Sequence, residues 1–362
     1  MWYTKKNIKM GLPGKAEKTM GFISKATIIL RRVKGASFQR MNQNIQAIHK
    51  ETGKNRLYIL ADMLWCTLKY GIGYLDYHVF GFALNRGKNR KTFMTMHHNI
   101  GLTRLLNDAS LYPVMNDKMQ FLETYHEFIG REWIDLRVAG ADGLQAMCKN
   151  TQTLFAKPVS DFGGTGVERI TLDEVADFAA LAARLLEGKQ YLIEEAVVQH
   201  HIMNTLCASS VNTLRIVTLT VNNESHFLYA LLRVGSGHNH VDNISSGGMY
   251  TLIGKDGILE FPAFCDKTGL YYDRHPVTQT AFRGFVIPMF NEAVELCLKA
   301  AQVKPGLSYI GWDVAITPDK PVLIEGNILP GYDMVQNAKF HPDGKGLLPA
   351  VEAILGGPVP KA

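Results

Sequence analysis

The chain has 362 residues, of which 46% are apolar and 10% aromatic. This composition excludes a disordered chain and supplies enough apolar residues for two domains or one large one. The five cysteines are widely spread and form no C-x-x-C pair, so neither a disulfide framework nor a zinc site is indicated. A reducing cytoplasm is therefore the expected compartment.

The net charge of +6 arises at the N-terminus, where residues 1–56 hold 13 Lys and Arg against Glu17 and Glu51. The segment FISKATIILRRVKGASFQR could form a basic amphipathic helix on an anionic membrane surface. A helix packed on the protein with a solvated basic face fits the same pattern. Lys25 interrupts the apolar run well short of the roughly 20 residues of a transmembrane helix, and no signal-peptide cleavage pattern follows. We expect a cytoplasmic protein, with peripheral membrane contact through the N-terminus as an open alternative.

The first half of the chain reads as helices and loops. Residues 1–70 are basic and mainly helical, and residues 71–150 alternate short aromatic runs with loops before the helix-like NDKMQFLETYHEFIG. The pattern then changes to strands, with TLFAKPV and VERI on either side of a glycine-rich loop. The next helix is predicted to open with Thr171 and Glu174, which have capping-box spacing, and QYLIEEAVV reads as a further strand.

The second half is richer in strands. TLRIVTLTV and HFLYALLRVG read as strands, HVDNISSGGMYTLIG as a turn-rich segment, and PMFNEAVELCLKAAQV as a helix. Two strands, YIGWDVAIT and PVLIEGNI, follow it. Because the strands come in hairpin order and are mixed with helices, we predict an α+β fold rather than a regularly alternating parallel sheet.

The glycine-rich loop SDFGGTG follows Lys157. Such loops often hold phosphate, because glycine lets backbone N–H groups approach and lysine supplies charge; a tight hairpin turn explains the glycines about as well. A Walker loop is excluded because no lysine follows the last glycine, and a dinucleotide fingerprint because VERI returns as a strand. We interpret the loop as the tip of a two-stranded flap.

Three oxygen donors lie on the two strands joined by the turn TPDKP. Glu325 and Asn327 are two residues apart, so their side chains share a face, and hairpin pairing brings Asp313 close to opposite Glu325. Such donors suit Mg²⁺, which binds carboxylates together with nucleotide phosphates. An acidic pair on a hairpin is more often a solvated edge, but Val314 and Leu323 mark these strands as buried, and a buried carboxylate needs a cation.

The order of these motifs resembles the ATP-grasp ligases, and most closely the sugar-transfer-associated ATP-grasp proteins. The resemblance runs from about Asn116 to Val335 and includes the lysine strand, the glycine flap, the paired glutamates of YLIEEAVV, the arginine of NTLRIVTL, the segment NISSGG and the closing D…E-x-N. It implies an ATP-grasp fold of two α+β subdomains that clasp ATP. The expected parts are a basic helical N-terminal region (1–70), the N-terminal part of the module (71–150), a flap subdomain (151–205) and a C-terminal subdomain with the metal site (206–362).

The resemblance also implies a role for each matching residue in nucleotide binding. Phosphates would be gripped by Lys157 and Lys118, and the adenine edge would be recognised at Glu194, Glu195 and Val197. The flap residues that would close over the phosphates are Ser160, Gly163, Gly164 and Gly166. His201 stands where the family often has a ribose-binding carboxylate, which is a departure from the pattern. The metal ligands for Mg²⁺, usually two ions, would be Asp313, Glu325 and Asn327.

Arg215 matches an arginine that contacts the transferred phosphoryl group, and with Lys157 it forms the implied catalytic pair. Related ligases often have a basic residue just before the asparagine of N-x-x-x-G-G, whereas Val241 and Asp242 precede it here. Arg233 or His240 would have to compensate. The expected substrate-binding residues are therefore Arg215, Arg233, His240, Asn243, Ser246 and Gly247.

The resemblance implies an ATP-dependent carboxylate–amine ligase that forms an amide through an acyl-phosphate, on a sugar, glycan-precursor or amino-acid substrate. Its partners would be a small carboxylate and a small amine. A phosphotransferase acting on a hydroxyl and a non-catalytic nucleotide-binding module in a glycan assembly complex remain open. Nucleic acid is not expected, because the aromatic segment YGIGYLDYHVFGF has no basic stripe.

Overall fold

The computed structural model describes residues 38–148, 151–159, 166–237 and 247–362. The predicted basic helix of residues 22–40 lies outside these ranges except for its last three residues. Ser160, Gly163, Gly164, His240, Asn243 and Ser246 also lie outside the described residues.

The N-terminal region is helical where it is described, as predicted. Its helices are α1 (Phe38–Thr52) and α2 (Arg56–Tyr70), and residues 71–150 begin with α3 (Tyr74–Val79) and α4 (Met96–Leu106). Residues 71–150 contain more helix than the sequence suggested. The helix-like segment is confirmed but divided, and the helices are α5 (Tyr112–Asn116), α6 (Lys118–Thr124), α7 (His126–Ile129) and α8 (Leu136–Met147).

A small antiparallel sheet is built from β1 (Trp133–Asp135), β2 (Thr153–Lys157), β3 (Glu168–Thr171) and β4 (Leu192–Glu195), in the order β1-β4-β2-β3. Helices α8 and α9 (Phe178–Glu187) pack together and bury its apolar side chains. The predicted start of the long helix at Thr171 is wrong, because only a 3-10 turn, Leu172–Glu174, follows Thr171. Thr171 pairs with Thr153 as the last residue of β3, and α9 is instead capped by Asp177, whose carboxylate accepts from the backbone N–H groups of Ala179 and Ala180.

A large antiparallel sheet contains the remaining strands in the order β11-β10-β5-β6-β7-β8-β9. They are β5 (Thr213–Val221), β6 (Glu224–Val234), β7 (Met249–Leu252), β8 (Ala263–Cys265), β9 (Leu270–Tyr272), β10 (Tyr309–Ile316) and β11 (Pro321–Asn327). The helices that follow β4 are α10 (His201–Asn204), α11 (Phe290–Val303) and α12 (Leu348–Leu355).

Both faces of the large sheet are covered. One core joins the sheet to α11 and to α5, α6 and α7, and the other joins it to α1–α4 and α12. The predicted α+β fold is confirmed. No helix within the described ranges is both long and apolar enough to cross a membrane.

The last two strands pair with one extra residue in β11. Ile316 pairs with Pro321 and Val314 with Leu323, but the next pair is Asp313 with Glu325. Ile324 is therefore a bulge residue, and Glu325 turns to the same face as Asp313. In a regular ladder Asp313 would pair with Ile324.

Candidate functional site

A cleft of about 360 Å³ lies where the small and large sheets meet. The small sheet contributes Lys157 and Glu194, and α6 contributes Lys118. The large sheet contributes Arg215, Arg233, Glu325 and Asn327. The structure thus brings together predicted residues that are up to 209 positions apart, from Lys118 to Asn327.

Asp313 is buried, 3% exposed, and is paired with two arginines that line the cleft. Arg215 faces Asp313 across the β5–β10 ladder and donates to both of its carboxylate oxygens, with Nη2 2.9 Å from Oδ2. Arg233 on β6 donates to the same Oδ2 at 3.0 Å. Burial alone would raise the pKa of Asp313, but the two guanidinium groups outweigh it and hold that pKa well below its usual range.

Glu325 and Asn327 extend the oxygen donor set into the cleft. Burial at the floor of the cleft, and then the negative charge of Asp313, raise the pKa of Glu325 to about 7, although the residue as a whole is exposed on the open side. Asn327 donates its Nδ2 to the carbonyl of Gly311 at 3.3 Å, which leaves its Oδ1 for another partner.

These oxygen donors fit a cation that is bound partly by the protein and partly by the phosphate oxygens of a nucleotide. The described part of the chain holds no group of three or more His, Cys, Asp or Glu that could enclose a metal. Two carboxylates and an amide oxygen instead suit Mg²⁺, which keeps positions open for phosphate oxygens. The raised pKa of Glu325 arises first from desolvation and then from the negative charge of Asp313, and a bound cation would offset both by favouring the charged carboxylate.

Glu194 lies between two cations on the other side of the cleft. Its carboxylate accepts from Lys157 Nζ through Oε2 and from Arg131 Nη2 at 3.2 Å through Oε1. The Arg131 and Glu194 side chains are 5% and 4% exposed. Burial alone would raise the pKa of Glu194, but Arg131 and Lys157 lower it to about 2. The side chain that we expected at the adenine hinge is therefore engaged in fixing Lys157.

Arg131 was not predicted from the sequence. Its Nη1 donates to the carbonyl of Leu323 at 2.8 Å, and its Nη2 approaches the carbonyl of Ile324 at 3.4 Å. Arg131 thus connects the strand that carries Glu325 with the strand that carries Glu194. It follows the helix-ending Gly130 and matches no motif, so no local pattern marks it as a functional residue.

Lys118 and Gly166 lie at the base of the predicted flap. Lys118 donates its Nζ to the carbonyl of Pro158 at 3.1 Å, directly after β2. Gly166 has a left-handed φ of 72°, and its carbonyl accepts from Gln190 at 2.9 Å. The first contact holds the start of the glycine-rich segment next to the cleft, and the second fixes its end to the residues just before β4.

The other described candidates do not line the cleft. Glu195 accepts from the backbone N–H of Glu132 at 3.0 Å, and Val197 is half-buried in the connection after β4. His201 is exposed, with its ring stacked on His200. Gly247 has a left-handed φ of 99° beside Lys267.

Two larger cavities, of about 530 and 840 Å³, lie against the N-terminal helices. Neither contains the strand-borne set of carboxylates and arginines. Volume alone therefore does not identify the site, and we assign it by the convergence of charged side chains.

Residues 97–354 match the family model described as "Sugar-transfer associated ATP-grasp". This range is well over half of the chain and places it among the ATP-grasp proteins. More narrowly, the chain belongs to the sugar-transfer-associated ATP-grasp family. No curated protein sequence matches it significantly.

The chain is also similar, at low identity, to solved structures. It shares 13% identity and a TM-score of 0.38 with the ATP-grasp ligase PsnB complexed with minimal precursor, covering 64% of this chain and 59% of that one. With the D-alanine-D-alanine ligase from Coxiella burnetii it shares 11% identity and a TM-score of 0.37, covering 65% of this chain and 56% of that one. With the VanG D-Ala:D-Ser ligase from Enterococcus faecalis it shares 14% identity and a TM-score of 0.40, covering 64% of this chain and 59% of that one. The chain spans less than two-thirds of these three proteins, and such low TM-scores indicate neither reaction nor substrate.

Proposed function

We propose that the protein is an ATP-dependent carboxylate–amine ligase that forms an amide through an acyl-phosphate. The observation that carries this proposal is the cleft in which Lys157, Arg215 and Arg233 meet the carboxylate of Glu325, with the carboxylate of Asp313 buried directly behind the two arginines. Membership in an ATP-grasp family supports the use of ATP and Mg²⁺. We propose a sugar, glycan-precursor or amino-acid substrate, and the words "sugar-transfer associated" in the family description support the first two.

Mg²⁺ would be held by Asp313, Glu325 and Asn327, and it would offset the charge of the β- and γ-phosphates. These three residues lie on paired strands, so the sheet fixes their spacing before the nucleotide arrives. Asp313 is also oriented by its two arginines, which restrict the carboxylate to one position.

In the first step a carboxylate oxygen of the substrate bonds to the γ-phosphorus, the bond from that phosphorus to the β–γ bridging oxygen breaks, and ADP leaves. Lys157 and Arg215 would stabilise the negative charge on the transferring phosphoryl group. In the second step the amine nitrogen bonds to the acyl carbon, inorganic phosphate leaves, and the nitrogen loses a proton.

The pairs formed by Glu194 would serve both steps by positioning. Glu194 keeps Lys157 in the cleft, and Arg131 fixes Glu194 to the strand that carries Glu325. The predicted flap, whose base lies at Lys118 and Gly166, would exclude water from the acyl-phosphate, which otherwise hydrolyses. The subdomain boundaries at residues 150 and 205 remain predictions.

The experiment measures Mg²⁺-dependent release of ADP and phosphate from ATP while carboxylates and amines are supplied singly and in pairs. Glu325→Gln should lower kcat by at least about a hundredfold, because a metal ligand is lost without a change of shape. Asp313→Asn should do the same, with its unfolding measured separately because Asp313 is buried. Glu295→Gln, on the exposed side of α11, is the matched control.

Release that needs both a carboxylate and an amine, with the mass of an amide in the product, supports the ligase. A phosphorylated product from a hydroxyl compound alone would replace it with a phosphotransferase. ATP binding without release for any pair would favour a binding module. Full activity of Glu325→Gln would overturn the metal assignment.

A further inference from the structure

Helix α2 is apolar on two opposite sides. Its inner side buries Ile59, Met63 and Cys66 in the core. Its outer face, which we define by six residues at helical spacing, consists of Leu57, Leu60, Ala61, Leu64, Trp65 and Leu68. Of these, Leu57 is 76% exposed and Leu68 62% exposed. A helix on a protein surface normally has a polar outer side, so this face is built for contact with something apolar.

The charges around the outer face are positive. Lys69 Nζ lies 4.3 Å from the ring centroid of Trp65, and the Arg86 guanidinium lies 5.2 Å from that of Tyr58. Lys54 also lies beside Tyr58, and Arg56 begins the helix. Leu84, which precedes Arg86 by two residues, is a further apolar side chain that is 66% exposed.

The only acidic residue of α2 is turned away from this face. Asp62 accepts from Arg90 at 3.0 and 2.6 Å and from the Tyr77 hydroxyl at 2.7 Å. Asp62 offsets the charge of Arg90 and part of that of Lys54, and the other cations of the rim are Arg56, Lys69 and Arg86. The outer face therefore combines leucine and tryptophan side chains with an excess of positive charge at its edges.

We propose that the outer face of α2 is a docking surface for an anionic lipid bilayer, with the helix lying parallel to the membrane. Leucine and tryptophan on one side with lysine and arginine at the border is the composition of helices that bind in the membrane interface. Tryptophan prefers the headgroup level, and anionic headgroups attract the cations. Contact of this kind needs no membrane-spanning helix.

Charge complementarity argues for lipid over the other occupants. A second copy of the chain would bring its own cationic rim against Arg56 and Lys69, and like charges repel. The chain's residues 1–37 carry nine Lys and Arg against Glu17 alone, so they would meet the same repulsion. The same residues would be attracted to an anionic membrane together with α2. The inference is independent of the proposed reaction.

The experiment measures sedimentation of the full-length protein with vesicles of phosphatidylcholine, with and without phosphatidylglycerol. The wild type should bind only the anionic vesicles, and high salt should weaken binding. The double variant Leu64→Glu/Leu68→Glu should bind at least about tenfold less, because two inserted leucines become charged. The matched control is Leu270→Glu/Val277→Glu, which places the same two charges outside α2. Leu270 is 56% exposed and Val277 52% exposed.

A second measurement does not depend on the folding of the charged variant. In a Trp2→Phe background, which removes the tryptophan of the basic N-terminus, the fluorescence of Trp65 should shift to the blue on anionic vesicles and be quenched by brominated lipid. Trp65→Phe in the same background should lose this change while Trp133 and Trp312 remain. Equal vesicle binding by the double variant and the wild type would overturn the proposal. So would absence of vesicle binding by the wild type, or a change from dimer to monomer in the double variant, which would identify a second copy as the occupant.

Discussion

Replacement of Arg131 by methionine tests whether this residue holds the two sides of the cleft together. Methionine keeps much of the side-chain length but removes the bonds to Glu194 and to the carbonyl of Leu323. Loss of one partner from a buried ion pair typically costs about 3–5 kcal/mol. Glu194 retains Lys157, so its charge is not left unpaired. We therefore expect the lower end of that range, a loss of about 3 kcal/mol in the free energy of unfolding.

Urea unfolding measures this change, and ATP binding measures its functional part. Because Lys157 would lose its preset position, affinity for ATP should fall by about tenfold or more, as it does when a supporting partner of a binding residue is removed. Arg131→Lys separates charge from geometry: it keeps the cation but loses the planar group that reaches Glu194 and Leu323 together. It should recover part of the stability and little of the ATP affinity.

Arg137→Met is the matched surface control, since Arg137 pairs with Asp135 at 2.6 Å but is 49% exposed. Its removal should change the free energy of unfolding by less than about 1 kcal/mol. If Arg131→Met is as mild as this control, the link between the two strands contributes no stability in solution, and the positioning role assigned to Arg131 is refuted.

Two further predictions concern single residues of the site. The pKa of Glu194 is lowered from 4.5 to about 2. Its contribution to the free energy of unfolding is therefore present above about pH 4.5 and is lost as the pH falls towards 2. At about 1.4 kcal/mol per pKa unit, that contribution is on the order of 3 kcal/mol. Glu194→Gln should remove that part of the acid dependence of urea unfolding, and identical acid dependence in variant and wild type would contradict the assignment. Gly326→Val should destabilise by about 1–3 kcal/mol and weaken ATP binding, because a Cβ at this position would lie 2.7 Å from Met115 Sδ and 3.0 Å from Phe121 Cε2. Gly357→Val, which has no neighbour within 4 Å, serves as its control, and equal stability of the two variants would show that the close packing on Gly326 is not limiting.

Much of the fold could be predicted because the strands of the large sheet are strongly patterned. TLRIVTLTV was predicted as a strand and forms β5 with the same bounds, and its side chains are buried on both faces. The family resemblance predicted that Lys157, Arg215, Asp313 and Glu325 share one site. A physical argument points the same way, because charged residues on buried strands need partners.

The remaining features depend on tertiary contacts that local patterns do not encode. Thr171 and Glu174 have the spacing of a capping box, but pairing of Thr171 with β2 decides its conformation and moves the helix start to Phe178. Arg131 matches no motif, and only the folded chain shows that its guanidinium reaches a strand 192 residues away. The expected proximity of Asp313 and Glu325 was correct, yet a regular hairpin from the pair of Ile316 and Pro321 would have set Glu325 opposite Trp312.

Ile324 can be regarded as a one-residue insertion that β11 accommodates as a bulge. Ile324 is the one residue of β11 without a partner in β10. If it were deleted, the ladder would become regular and Asp313 would still lie opposite Glu325. The family is therefore expected to vary in length by one residue at this point more readily than between Glu325 and Asn327, where a change would turn a ligand to the opposite face. A shortened strand would keep its metal ligands but would lose one of the two carbonyl groups that Arg131 approaches.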